Sequence, residues 1–333
     1  MIDLPLIWGL LIAFAVLAYV VLDGFDLGIG VLFPWLHKGS ERDTAMNSVA
    51  PVWDGNETWL VLGGGGLFAV FPLAYAIVMP ALYAPIIAML LGLVFRGVAF
   101  EYRWRDAAHQ RWWDVSFALG SIIAAFAQGI VLGAFVQGIE VSGRAYSGGW
   151  WDWLSPFSLL TGTALVIGYG FLGAAWLILK TEGSLREHAY RVALPLFVAV
   201  IVLIGAVSLW TPFLAPDIAE RWFSRPNIFV LAPVPLLVGL LGFLLLRALR
   251  RRLDRQPFPL ALGLFVLSYA GLGVSNYPYV VPRSVTIWQA AAPDSSLAFL
   301  LIGAALLLPL ILGYTAYAYW VFRGKLKSGE GYH

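Results

Sequence analysis

Cysteine is absent from all 333 residues, histidine occurs only four times, and charged residues make up just 12% of the chain. Each scarcity removes a class of protein. Without cysteine there are no disulfides, no thiolate zinc sites and no iron–sulfur ligation. Histidine stands only at His37, His109, His188 and His333, and methionine only at Met1, Met46, Met79 and Met89. Of these, only Met89 lies well within an apolar run, so no bis-His or His–Met pair is available to hold a haem across a helical bundle. There is no G-x-x-x-x-G-K-[ST] phosphate loop, no H-E-x-x-H and no soluble domain to hold a nucleotide. A soluble domain rarely falls below about 25% charged residues. This chain is 60% hydrophobic with a mean hydropathy of +0.81, and is read as a membrane protein. Its net charge of +2 gives no reason to expect a nucleic-acid partner. The opening MIDLPLIWGL has no basic n-region and runs straight into apolar sequence, so no cleaved signal peptide is expected.

What is present is a series of long apolar runs. A helix needs roughly 20 apolar residues to cross a bilayer. Nine runs qualify: 5–36, 57–78, 80–101, 115–138, 155–179, 191–213, 227–247, 258–281 and 296–322. The expectation is an all-α integral membrane fold forming a single polytopic domain over 1–333. Placing alternate connections on one face collects 16 of the 21 Lys and Arg residues there, from Lys38 and Arg42 to Arg323, Lys325 and Lys327. Only Arg144, Arg221, Arg225 and Arg283 fall on the other face, while Arg96 lies inside the third run. The positive-inside rule then sets the N-terminus outside and the C-terminus in the cytoplasm. Trp112, Trp113, Trp150, Trp151, Trp153, Trp222 and Trp320 fall near run ends, as an interfacial aromatic belt requires. GGWWDWLSP, before the fifth run, is expected to lie in the outer interface.

A few charges stay within the apolar sequence. YVVLDGFDLGIG, residues 19–30, carries Asp23 and Asp26, and VAPVWDGNETWL carries Asp54 and Glu57 where the second run begins. Arg96 and Glu101 close the third run. Asp23 lies 18 residues beyond Pro5, about 27 Å along a helix, so these charges collect at one depth near the cytoplasmic face. At 100° per residue, Tyr19, Asp23, Asp26 and Gly30 share one stripe, while Gly24 and Gly28 form a small-xxx-small face that admits a neighbouring helix. GGGG at 63–66 reads as a second close-packing point. Arg96 can offset one of Asp23, Asp26 and Asp54; the remaining acids must be protonated, hydrated or matched by a partner. Two structural readings stand beside this one. Asp26 would cap a helix break and DGN would open the second run as an N-cap, while Arg96 would snorkel to the interface. Clustered acid in excess favours a proton entry path, because a carboxyl group at such a place can accept and release a proton.

LDGFDLGIG and VAPVWDGNETWLVLGGGGLFAVFP resemble subunit II of the cytochrome bd family of quinol oxidases, and most closely its cyanide-insensitive branch. FRGVAFEYR and LSYAGLGVSNYPYVVPRS extend the resemblance over essentially the whole chain. It implies two four-helix bundles plus one peripheral helix, nine transmembrane helices in all, in the bacterial inner membrane. It also implies an obligate haem-bearing subunit I, holding haems b and d or b only, that oxidises ubiquinol or menaquinol and reduces oxygen to water. Subunit II would bind no haem. Lipids surround it, and a structural quinone and a small single-span subunit are left open. On this resemblance Asp54 is carried over first as a proton-path residue, then Asp26 and Asp23, with Glu57 optional and Arg96 and Glu101 as charge partners. A proton-coupled secondary transporter and a purely structural scaffold subunit are the rival readings.

Overall fold

The computed structural model describes residues 2–326, so Met1, Lys327 and His333 lie outside the described residues. The first helix, α1 (Leu4–Leu32), starts where the Asp3 carboxylate accepts the Leu6 amide at 3.0 Å and Pro5 fixes the first turn. It runs unbroken through both acidic positions and all its glycines. A short α2 (Ser40–Asn47) follows, then α3 (Trp53–Val70) and α4 (Pro72–Ala81). Next come α5 (Tyr83–Tyr102), α6 (Gln110–Gln137), α7 (Pro156–Lys180) and α8 (Gly183–Leu214). After α9 (Pro216–Phe223) and α10 (Asn227–Leu231), the chain continues in α11 (Pro233–Arg250) and α12 (Pro257–Asn276). It closes with α13 (Ile287–Ala290) and α14 (Asp294–Val321). Short 3-10 helices at Phe33–Trp35 and Ala107–His109 and two small antiparallel hairpins, Val141–Ser142 with Ala145–Tyr146 and Tyr279–Val281 with Val285–Thr286, complete the secondary structure of the described residues.

Among the described residues, eight helical stretches are long and apolar enough to cross a membrane, and they coincide with eight of the nine runs expected from sequence. The run at 57–78 differs. Proline disfavours the helical region for its predecessor, and Phe71, before Pro72, leaves the helix at φ −122°, ψ 62°. The run is thus divided into α3 and α4. Asp54, Glu57 and five glycines further dilute the apolar character of α3.

The connections sort into two layers. On the basic layer, Arg42 Nη1 meets Asp114 Oδ2 at 2.7 Å and Arg103 Nη1 meets Asp43 Oδ1 at 2.8 Å. Asp254 gathers Arg186 at 3.2 Å, Lys325 at 2.7 Å and the Tyr190 hydroxyl at 2.9 Å. Partial burial opposes the charge on Asp254, but the Lys325, Tyr190 and Arg186 donors outweigh it and hold the carboxyl below its ordinary range. On the opposite layer, Trp288 donates to Asp3 at 3.1 Å and the Ala292 amide donates to the Val70 carbonyl at 2.8 Å. This is the alternation that the distribution of Lys and Arg implied. Trp112, Trp150, Trp151 and Trp320 are exposed near helix ends, whereas Trp222 turns inward to Ser275 at 2.9 Å.

Packing centres on α1, which lies against α3, α6 and α7; α5 packs on α6, α8 on α7, and α12 on α7 and α11. Backbone contact sets the α1–α7 spacing. A Cβ built on Gly28 would lie 1.9 Å from the Tyr169 carbonyl oxygen, and one on Gly173 would lie 2.5 Å from the Gly28 carbonyl carbon. The small-residue face read from Gly24 and Gly28 is this α7 contact. GGGG is only half a packing point: a Cβ built on Gly63 or Gly66 would lie 3.3 Å from Val16 or Ile12 of α1, while one on Gly64 or Gly65 would meet open space.

Gly28→Ala is therefore expected to cost at least the ~1–3 kcal/mol of stability typical of overpacking, because the clash is with backbone, and so to lower the thermal midpoint of the purified protein. Gly64→Ala should leave the midpoint unchanged or slightly raised. Equal midpoints for the two variants would contradict the α1–α7 contact.

Candidate functional site

The acids of α1 and the arginine of α5 meet inside the helices. Asp23, Asp26 and Arg96 are each 0% exposed. Arg96 Nη1 lies 2.8 Å from Asp23 Oδ1, and Nη2 lies 4.0 Å from Asp26 Oδ2. Glu57, one turn into α3, brings Oε2 to 3.5 Å from Arg96 Nη1 while its side chain stays partly exposed. Three carboxylates thus surround one guanidinium, and the third reaches the surface.

Neutral groups complete the shell. Asn56 Nδ2 donates to Asp26 Oδ2 at 2.6 Å and to the Leu22 carbonyl at 3.3 Å, and the Tyr319 hydroxyl donates to Asn56 Oδ1 at 3.0 Å. The guanidinium lies over the rings of Trp53 and Phe100, at 5.8 and 5.9 Å from their centroids, and these rings stack on each other at 4.7 Å. Such faces attract a cation while excluding bulk water from it. Asp26 Oδ1 and Arg96 Nε have no hydrogen-bond partner among the described residues, so the cluster retains unused polar capacity.

The sequence-expected residues divide accordingly. Asp23, Asp26, Arg96 and Glu57 come together. Asp54 sits in the first turn of α3, exposed and without an ion pair among the described residues. Glu101 is also exposed and lies 3.4 Å from Arg105, apart from the cluster it was expected to serve. Arg96 does not snorkel; it is buried and paired. Asp26 caps no helix break, since α1 continues to Leu32. DGN opens no helix either: α3 begins after Val52 with no side-chain cap, and Asn56 turns inward instead. Asn56, Tyr319, Trp53 and Phe100 were not anticipated, because neutral side chains carry no charge anomaly to betray them. Glu57 is visible in the sequence as an acid where the second run begins.

A family model described as cytochrome bd terminal oxidase subunit II matches residues 4–322. The chain is 30% identical over 368 residues to the cytochrome bd-I ubiquinol oxidase subunit 2 of Escherichia coli (strain K12), with 98% of this chain and 96% of that protein covered. The chain belongs to the cytochrome bd oxidase subunit II family. A second member, the cytochrome bd ubiquinol oxidase subunit 2 of Bacillus subtilis (strain 168), is 28% identical over 338 residues, covering 97% of each chain. The fold is also shared with a solved structure of bd oxidase from Geobacillus thermodenitrificans, at a TM-score of 0.72 and 18% identity, covering 96% of this chain and 99% of that one. This member of the family is thus a polytopic helical protein carrying a buried carboxylate–guanidinium cluster.

Removing one partner of a buried ion pair strands the other charge and costs about 3–5 kcal/mol. Arg96→Met should therefore lower the thermal midpoint strongly, and Asp23→Asn in the same chain should recover part of the loss. Additive losses in the double variant would show that the two side chains do not interact.

Proposed function

We propose that this chain is the haem-free subunit II of a bd-type quinol oxidase of the bacterial inner membrane. In this reading it stands beside a haem-bearing subunit I that oxidises ubiquinol or menaquinol and reduces oxygen to water. Its basic layer is the cytoplasmic one, α3 is the ninth crossing, and the helices divide into two bundles and a peripheral helix. Its own task is to hold part of the path by which protons enter from the cytoplasm.

The observation that carries this reading is the excess of acid over base around Arg96. One guanidinium offsets one carboxylate; Asp23, Asp26 and Glu57 together exceed it, and a buried uncompensated carboxylate is costly. A proton held among them relieves that cost, and Glu57 gives it an exit to the surface. The order of depth supports a relay: Asp54 exposed, Glu57 partly exposed, Asp23 and Asp26 fully buried. Asn56, donating to Asp26 and accepting from Tyr319, orients the innermost carboxylate as a positioning residue. Arg96 sets how many protons the cluster holds by always offsetting one charge.

The haems would supply the oxygen chemistry when bound in subunit I. The described histidines of this chain, His37, His109 and His188, all stand on the basic layer, His188 in the first turns of α8, so no step is assigned to a haem ligand here. Drawing chemical protons from the cytoplasm while quinol releases its protons outside separates charge without a pump. Transporter sites near the midplane of two repeats are a poorer match to an acid cluster confined to α1, α3 and α5.

Glu57→Gln, purified with its partner, should keep its haem spectrum and lose roughly tenfold or more in quinol-dependent oxygen consumption, the scale of a lost proton-transfer group. Asp54→Asn should lose severalfold. Normal turnover with normal haem in both would refute the relay, while lost haem would favour the scaffold reading.

A further inference from the structure

A second cluster of ionisable side chains lies on the basic layer, separate from Arg96. Glu41, in the first turn of α2, is 5% exposed, and its ion-pair partners among the described residues are two imidazoles rather than a guanidinium or an ammonium. Glu41 Oε2 lies 2.8 Å from His37 Nδ1 and 3.2 Å from His188 Nδ1, and accepts the His37 amide at 3.1 Å. One ligand atom from each of the three side chains lies within 4.8 Å of the others. The groups come from two distant parts of the chain: His37 and Glu41 from the segment after α1 and the first turn of α2, and His188 from the start of α8. Glu41 is thus a buried carboxylate whose ion-pair contacts among the described residues are imidazoles alone, and buried charges are paired or bound to metal.

We propose that His37, Glu41 and His188 form a divalent transition-metal site of the zinc class, which staples α2 to the start of α8. Two imidazoles and one carboxylate, without thiolate, suit Zn²⁺, Co²⁺, Ni²⁺ or Cu²⁺; Mg²⁺ and Ca²⁺ prefer oxygen ligands throughout. Zinc bonds of about 2.0–2.1 Å in a tetrahedron set the donors about 3.3 Å apart. The observed carboxylate–imidazole distances are already close to that spacing, so side-chain rotation alone can admit the ion. The His37 side chain is 71% exposed, which provides an approach for the ion and leaves a fourth position for water. The competing arrangement is a pair of histidines hydrogen-bonded to a carboxylate with no metal.

The protein, purified from membranes with its partner subunits, is stripped with a chelator, equilibrated with zinc, desalted and assayed for zinc by mass spectrometry, separately from iron. Wild type should retain about one more zinc per chain than His37→Ala or His188→Ala, as expected for a single three-ligand site. Its thermal midpoint should rise with zinc, while that of His37→Ala stays fixed. His37 is mostly exposed, so its removal leaves the fold intact. Equal zinc retention in wild type and both variants overturns the proposal and leaves the hydrogen-bonded cluster.

Discussion

Arg96 is the constraint around which this molecule is arranged. Its guanidinium is fully buried, 2.8 Å from Asp23 and within 4.0 Å of Asp26. A charge taken out of water needs good geometry and further polar partners to be tolerated. The chain supplies these by bringing α3 across α1 and α5, so that Glu57, Asn56, Trp53 and Phe100 close the shell. Backbone contact at Gly28 and Gly173 holds the other side of α1 against α7, which fixes the face that α1 turns toward the arginine.

The division of labour follows from what the chain can and cannot hold. Its described histidines stand at the basic layer, and its buried ionisable cluster consists of carboxylates and a guanidinium. Such a set can move protons but not electrons. Under the proposed reading, subunit II is therefore the proton-handling half of a redox complex. Its acids collect near the face that carries most of its Lys and Arg. The family membership supplies the partner; the cluster supplies the reason the partner would need this chain.

Much of this was legible beforehand, for physical reasons. Charge in an apolar run is conspicuous, so Asp23, Asp26 and Arg96 stood out, and the alternation of Lys and Arg gave the two layers that the ion pairs of Asp114 and Asp254 display. Asp54 and Glu101 were equally conspicuous, yet both are exposed: a carboxylate at a helix end has a cheap route to the surface that sequence does not exclude. Glu57, optional by sequence, lies at Arg96, because helical rotation from the start of α3 decides which acid turns inward. At that start Trp53 stacks on Phe100, across from it on α5. Asn56 and Tyr319, 263 residues apart, meet only through the tertiary fold. The same holds for Glu41 and His188, separated by 147 residues.

The central claim is that the cluster around Arg96 gains and loses a proton as the enzyme turns over. Infrared difference spectroscopy between the oxidised and reduced complex tests it most directly, because the carbonyl stretch of a protonated carboxyl group is distinct from that of a carboxylate. The account predicts a carboxylic-acid band that changes between the two states and disappears in Asp23→Asn, Asp26→Asn or Glu57→Gln. Difference spectra identical to wild type in that region for all three variants would contradict it.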